Sequence, residues 1–286
     1  MKTKIIFLGA FLFQFTVCSA QTLSPKVLPS CGGYFSAGGK SLSWTMGEPI
    51  TATFTSGNIR LTQGFQQPYV ELTILNMRAF FEGFYEAAVS NGQPSGQMNN
   101  NGGIGGLLHK VGISTNVNAV DSITISAMNA TSPYSLVGSK KGIIDINGNV
   151  SVKFGNEVHA GQSYYIKVNH RNSLETWSAT PVLFTPVMSY DFTTAANKAY
   201  GNYMSLTSDG LYYAFYGGDI SDATTATIGI QDGIIESQDY GDMESAVSIT
   251  LLGYSFEDIT GDAIVESDDY VLMENNVYFT RVVHKP

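Results

Sequence analysis

A chain of 286 residues, 43% hydrophobic and only 14% charged, has the material for a large packed core, and its net charge of −9 excludes the basic surface that nucleic-acid binding requires. Thirty glycines, 16 tyrosines and 16 phenylalanines favour strands and turns over long helices.

The chain opens with Lys2 and Lys4, the apolar run "IIFLGAFLFQFTV" and the small residues Cys18, Ser19 and Ala20. Residues 1–20 therefore predict a secretory signal peptide cut after Ala20, and a secreted product that is extracellular or associated with the cell surface. The apolar run is shorter than the roughly 20 residues a transmembrane segment needs. Val17 stands where a lipidation signal at Cys18 would carry a small residue. After cleavage Cys31 is the one cysteine left, so an intramolecular disulfide is excluded and stability falls to cores and metal.

Residues 21–72 read as an N-terminal Gly-rich β module. From 73 to 215, "DSITISAMNA", "NVSVKFG", "SYYIKVNHR" and "PVLFTPV" alternate with period two and are separated by turn signals at 147–148 and 160–162. Short strands at close spacing predict an antiparallel β-sandwich. Residues 90–106, rich in Asn, Gln and Gly without periodicity, predict a long loop.

Catalytic signatures are absent. His109, His159, His170 and His284 have no zinc-ligand spacing, there is no Gly-x-Ser-x-Gly elbow, and "GGIGG" at 102–106 lacks the GKS/T of a phosphate loop. Glu82 and Glu86 read as exposed residues of a strand and the following turn rather than an acid–base pair. Arg171, Glu175 and Trp177, in "NHRNSLETWSATP", are a candidate glycan-binding ledge: an indole face stacks on a sugar ring while the charged groups bond its hydroxyls. The competing reading buries Trp177 and pairs Arg171 with Glu175. These residues predict no enzyme.

The acid is concentrated at the C-terminal end, where residues 216–286 hold 14 of the 24 acids against Arg281 and Lys285, a local balance of about −12. A shift of 30 residues aligns "QDGIIESQDYGDMESA" (231–246) with "GDAIVESDDYVLMENN" (261–276) at eight identities in sixteen, an internal duplication. In the second copy Asp258, Thr260 and Asp262 fall at positions 1, 3 and 5 of a calcium loop, the Ile264 carbonyl at 7, Glu266 at 9 and Asp269 at 12. This spacing turns alternate oxygens inward, as a hard cation with about 6 to 8 ligands needs. Ala263 stands at position 6, where the sharp turn commonly takes glycine. In the first copy Asp219 and Ser221 precede a nine-residue insertion (223–231), after which Asp232, Ile234, Glu236 and Asp239 resume the pattern. Loop-closure entropy grows slowly with length, so the insertion is compatible with a site. A short helix is predicted after each loop. The cofactor implied is Ca2+, and the acidic tail is expected to fold on calcium while the sandwich is indifferent to it.

The paired loops, joined by "LLGYSFED", resemble the dockerin-type calcium-binding repeats of extracellular bacterial proteins. That resemblance implies a cohesin-like partner engaged near Ser237, Gln238, Ser267 and Asp268, although the serine–threonine pair of well-studied dockerins is missing. "GGYFSAGGKSLSWTMGEPITATFTSGNIRLTQGFQQPY" (32–69) resembles a module of secreted Bacteroidetes surface proteins. The segment from "ILNMRAFFEGFY" to "YDFTTAANKAYG" resembles the β-rich domain that precedes such tails. The expected protein is mainly β, an antiparallel β-sandwich with a small α-helical dockerin-like tail at 216–286. Its expected role is non-catalytic: calcium-stabilised attachment to a cohesin-like or other surface protein. The alternative is carbohydrate binding by the sandwich, with a glycan as partner and the calcium module as stabiliser.

Overall fold

The computed structural model describes residues 32–37, 40–45, 53–56, 59–62, 72–87, 96–99 and 105–286. The signal-peptide segment, Cys31 and most of the 90–106 loop lie outside the described residues. The chain separates into two compact units, 1–69 and 70–286. In the first, β1 (Gly32–Ala37) pairs antiparallel with β2 (Lys40–Thr45), and β3 (Thr53–Ser56) with β4 (Ile59–Thr62).

The second unit is built on two sheets. β5 (Thr73–Arg78) is followed by the small pair β6 (Tyr85–Glu86) and β7 (Gln97–Met98), then by the helical turn α1 (Leu107–Lys110). Five strands come next: β8 (Ala119–Asn129), β9 (Leu136–Asp145), β10 (Asn149–Phe154), β11 (Ser163–His170) and β12 (Ser173–Trp177). β13 (Val182–Leu183) and β14 (Val187–Asp191) complete the framework. One sheet has the order β10-β5-β14, and the other β12-β11-β8-β9 with β13 also on β11. The turn at 147–148 links β9 to β10 with Gly148 at φ +78°, and Gly161 at φ +88° stands in the expected 160–162 turn.

Period-two alternation decides which side chains go inside. In β10, Val150, Val152 and Phe154 are buried while Asn149, Ser151 and Lys153 are exposed. The inward residues share one core with Leu75 and Met77 of β5, Ile123 and Ile125 of β8, Ile166 and Val168 of β11, and the rings of Phe80, Phe81 and Phe84. Mainly antiparallel sheets around a common core give the β-rich two-layer body that the strand pattern predicts.

Two details depart from the sequence reading. "PVLFTPV" is not one strand: β13 belongs to the larger sheet, and the chain crosses to the smaller one before β14, which runs parallel to β5. Pro186 explains the break, because it has no N–H to donate and holds Thr185 away from regular pairing. Glu82 is not a free surface acid, since its carboxylate accepts from Ser205 Oγ, from the Gly217 amide at 3.2 Å and from Asn276 Nδ2 at 2.7 Å.

Residues 216–286 do not form a body of their own. Leu174 of β12 shares a buried cluster with Ile220, Ile235, Met243, Ile259, Val265 and Met273. Beyond the helices, Arg281 lies 4.2 Å over the Tyr216 ring and His284 stacks on Tyr203 at 3.9 Å. The expected boundary at 216 therefore marks a change of composition inside one compact unit.

Candidate metal centre

Each acidic segment folds as a loop followed by a helix: α2 (Ser237–Ser248) after the first and α3 (Ser267–Tyr278) after the second. The helices start where they do because an acid three residues into each one turns back on the chain. Asp239 Oδ2 accepts from the Glu236 amide at 2.9 Å, and Asp269 Oδ2 from the Glu266 amide at 3.0 Å. The other oxygen of each carboxylate reaches across its loop. Asp239 Oδ1 takes the amides of Ile220 and Ser221, both at 2.9 Å, and Asp269 Oδ1 takes the amide and hydroxyl of Thr260 at 2.8 and 2.9 Å. The last expected ligand thus closes against positions 2 and 3 in the first loop and against position 3 in the second.

Asx turns repeat as well. Asp232 Oδ1 accepts from the Ile234 amide at 3.0 Å and Asp262 Oδ1 from the Ile264 amide at 2.9 Å, fixing the carbonyl-bearing residue expected at position 7. The intervening residues, Gly233 and Ala263, both take positive φ, +85° and +71°. Ala263 therefore adopts the left-handed turn that glycine usually supplies. After that turn the first loop pairs with residues 281–283 and the second with 251–253. Tyr240 and Tyr270, one repeat apart, meet through their hydroxyls. Contact between equivalent residues is what a two-fold relation between the copies produces.

The nine-residue insertion does not scatter the first loop. It forms a hairpin of β17 (Ser221–Asp222) and β18 (Thr227–Ile228), following the small pair β15 (Ser205–Leu206) and β16 (Tyr213–Ala214). Asp232 is thereby returned beside the loop, where its Oδ2 accepts from the Ala223 amide at 3.2 Å.

The two position-1 acids differ. Asp258 is fully buried, and its oxygens accept from the Asp262 and Ala263 amides at 3.0 and 3.1 Å. Burial pushes its pKa up to about 7, with Arg171 pulling it down and Asp269 and Asp262 pushing it further up. Asp219 is also fully buried, yet neither carboxylate oxygen has a hydrogen-bond partner. Burial, then the charges of Asp239 and Asp232, push it up to about 8. The amides of Gly233 and Asp232 lower it, but neither reaches hydrogen-bond geometry. Asp239 and Asp269 are raised by burial against the amides they accept from.

Buried carboxylates that repel one another, at Asp219 with no cationic side chain among the groups that shift it, suit a hard cation. Among the described residues, however, no group of three or more His, Cys, Asp and Glu side chains converges as a ready-made metal site. Both observations hold together. The acids stand close enough for their charges to interact, while the oxygens of Asp232, Asp239, Asp258, Asp262 and Asp269 accept from the loop's own amides, and the expected donor set leans also on the Thr260 and Ser221 hydroxyls and the Ile264 and Ile234 carbonyls. Glu236 is partly exposed and Glu266 exposed, at the loop rims.

The glycan ledge is not assembled. Trp177 is 5% exposed, packed with Met128 and Tyr165, and its indole Nε1 donates to Glu175 Oε1 at 2.6 Å. Glu175 also accepts from Lys167 and Asn169, each at 3.0 Å. Arg171 turns elsewhere, donating from Nε to Asp121 Oδ2 at 2.8 Å and from Nη2 to the Asp258 carbonyl at 3.1 Å. Neither the ledge nor an Arg171–Glu175 pair is formed, because Arg171 is held by Asp121 and Asp258 and Glu175 by Lys167, Asn169 and Trp177. An open groove of about 590 Å³ lies over the outer face of the β10-β5-β14 sheet, but Arg78, Asp145 and Asp191 along it are held by neighbouring backbone.

Sequence reasoning missed the polar cluster under Arg171. His170 Nδ1 is 3.0 Å from Ser173 Oγ, and its Nε2 is 3.1 Å from Asp121 Oδ2 without hydrogen-bond alignment. The residue types are those of a hydrolase triad, yet His170 is 4% exposed, Ser173 1% and Asp121 0%, and the imidazole stacks on Phe81 at 3.8 Å. A substrate has no access to such a site. Burial pushes the His170 pKa down against the pull of Asp121. Burial alone would raise Asp121, but His170, Arg171 and Tyr254 together hold it below the usual carboxylate range.

No family model matches the chain, and no curated protein matches it. Two solved structures of a type II cohesin–X–dockerin complex from Acetivibrio cellulolyticus contain a chain that aligns with 73% of this one and 97% of its own length. One complex is a C-terminal interface mutant, 16% identical with a TM-score of 0.40, and the other an N-terminal interface mutant, 15% identical with a TM-score of 0.40. Among the described residues no helix is long and apolar enough to cross a membrane.

Proposed function

We propose that this is a non-catalytic secreted or cell-surface protein whose residues 216–286 act as a dockerin-like, duplicated calcium-binding module for protein attachment or assembly. One Ca2+ would be held by Asp219, Ser221, Asp232, the Ile234 carbonyl, Glu236 and Asp239. The other would be held by Asp258, Thr260, Asp262, the Ile264 carbonyl, Glu266 and Asp269. The observation that carries this reading is Asp219: a carboxylate with no exposed surface and no hydrogen-bond partner, facing two further acids. A buried, unpaired charge costs several kcal/mol, and a bound cation would offset that cost.

Attachment is supported by what the module leaves exposed. Ser237, Ser267 and Asp268 face solvent at the helix starts, and Gln238 is half-buried with its amide on Asp242. Val271, Tyr278 and Phe279 are exposed along and beyond α3, the first two on one face. The test is capture of a surface-extract protein by the calcium-loaded chain. Capture that is lost in chelator and on Ser267→Arg/Asp268→Arg supports the reading, and capture indifferent to both counts against it.

A further inference from the structure

The two loops share a backbone design but not an electrostatic environment. At the second loop, Arg171 of the β-sandwich enters beside position 1: its Nη2 is 3.7 Å from Asp258 Oδ2 and donates to the Asp258 carbonyl at 3.1 Å. Asn172 donates to the same carbonyl at 2.7 Å, and Lys110 Nζ to the Asp262 carbonyl at 3.2 Å. The arginine cannot easily leave. Its side chain is 6% exposed, Nε is tied to Asp121 at 2.8 Å, and the guanidinium lies 4.6 Å over the Tyr254 ring. A charge so enclosed is weakly screened by salt and water.

At the first loop the corresponding contact is neutral. Gln231 Nε2 donates to the Asp219 carbonyl at 2.6 Å and to the Ser173 carbonyl at 3.0 Å. Among the described residues no lysine or arginine stands within ion-pair distance of Asp219, Asp232 or Asp239. The first loop also has glycine at the turn where the second has Ala263 at φ +71°.

We propose that Arg171 is a built-in competitor for calcium at the second loop, so that the first loop, despite its insertion, is the tighter site and fills first. This rests on the calcium reading above. A divalent cation bound at Asp258 must share that carboxylate with a fixed guanidinium, whereas one bound at Asp219 meets no competing side-chain cation among the described residues. Asp258 is thus the point where filling of the second loop and its packing against the sandwich become one event. A neighbouring opposite charge typically shifts a carboxylate's ionisation equilibrium by a factor of ten to a thousand, so the sites should differ by at least about tenfold.

Calorimetry with CaCl2 on the mature chain tests this, using wild type, Asp219→Asn, Asp258→Asn and Asp219→Asn combined with Arg171→Met. Because Arg171→Met strands Asp121, the same arm is repeated with Asp121→Asn added, which removes both charges together. The expected result is two affinities in wild type, loss of the tighter on Asp219→Asn and of the weaker on Asp258→Asn. Removing Arg171 should tighten the remaining second site by about tenfold. Equal affinities, loss of the weaker site on Asp219→Asn, or a second site unchanged by removal of Arg171 in both backgrounds would overturn the proposal. A wild-type chain that takes no calcium would overturn the underlying calcium reading with it.

Discussion

Asp219→Asn should change the stability of the protein in opposite directions with and without calcium. In chelator the folded state holds Asp219 at a pKa of about 8 instead of 3.8, chiefly through burial. At pH 7 the solution lies about three pH units above the unfolded value, and at roughly 1.36 kcal/mol per unit the acid costs the fold at most about 4 kcal/mol. Asparagine removes that cost but leaves its own buried amide short of partners, which takes back about 1 to 3 kcal/mol. The net expectation is a gain of about 1 to 3 kcal/mol, seen as a rise of about 2 to 12 °C in the melting temperature of the calcium-free protein. With calcium at about 100 times Kd wild type gains roughly 2.7 kcal/mol from each filled loop and the variant loses one of them, which reverses the sign over most of that range and cancels the gain at its upper end. Differential scanning calorimetry in chelator and in calcium reads both arms. A variant destabilised equally in the two conditions would refute the reasoning, since Asp219 would then be an ordinary packed residue.

Stability of the calcium-free protein should fall as pH rises from about 4 to about 8. In that window folded Asp219 and Asp258, raised to about 8 and about 7, keep protons that the unfolded chain has released; urea midpoints at pH 5 and pH 8 in chelator check this, and a flat or rising profile contradicts it. Ala263→Gly relieves a positive φ that costs alanine about 1 kcal/mol, so calcium at the second loop should bind up to about tenfold tighter by titration calorimetry. Trp177→Ala should cost about 3 to 5 kcal/mol in urea unfolding without altering any glycan-array signal, because the indole is packed against Met128 and Tyr165. Asp121→Asn alone removes the nearer of the two buried carboxylates beside Arg171, leaving Asp258 at 3.7 Å, and should cost about 3 to 5 kcal/mol, by the same assay.

The features readable from sequence were those carried by short-range spacing. The helices after each loop and the positive φ at Ala263 are set by residues within a dozen positions of one another, and the duplication shows when the sequence is shifted by 30 residues against itself. The strands of the sandwich were legible for the same reason, since alternation is local. What was not legible depends on partners far apart in the chain. Arg171 meets Asp258 87 positions away and Asp121 50 positions away, and no periodicity in "NHRNSLETWSATP" distinguishes those partners from Glu175. Trp177 was ambiguous because an indole suits a core and a sugar platform equally. The expectation that the sandwich would be indifferent to calcium treated the acidic tail as separable. Asn172 and Asn99 instead donate to the Asp258 and Gly261 carbonyls at 2.7 Å, so ordering of the second loop is shared with the sandwich.

Each acidic loop is proposed to hold one calcium ion. Equilibrium dialysis of the mature chain against millimolar calcium, above the roughly 10⁻⁴ to 10⁻³ M affinities of extracellular modules, tests it most directly. Two bound ions per chain are expected, one lost on Asp239→Ala, the other on Asp269→Ala, and none bound when both are changed. A chain that binds no calcium, or whose binding survives the double change, would contradict it.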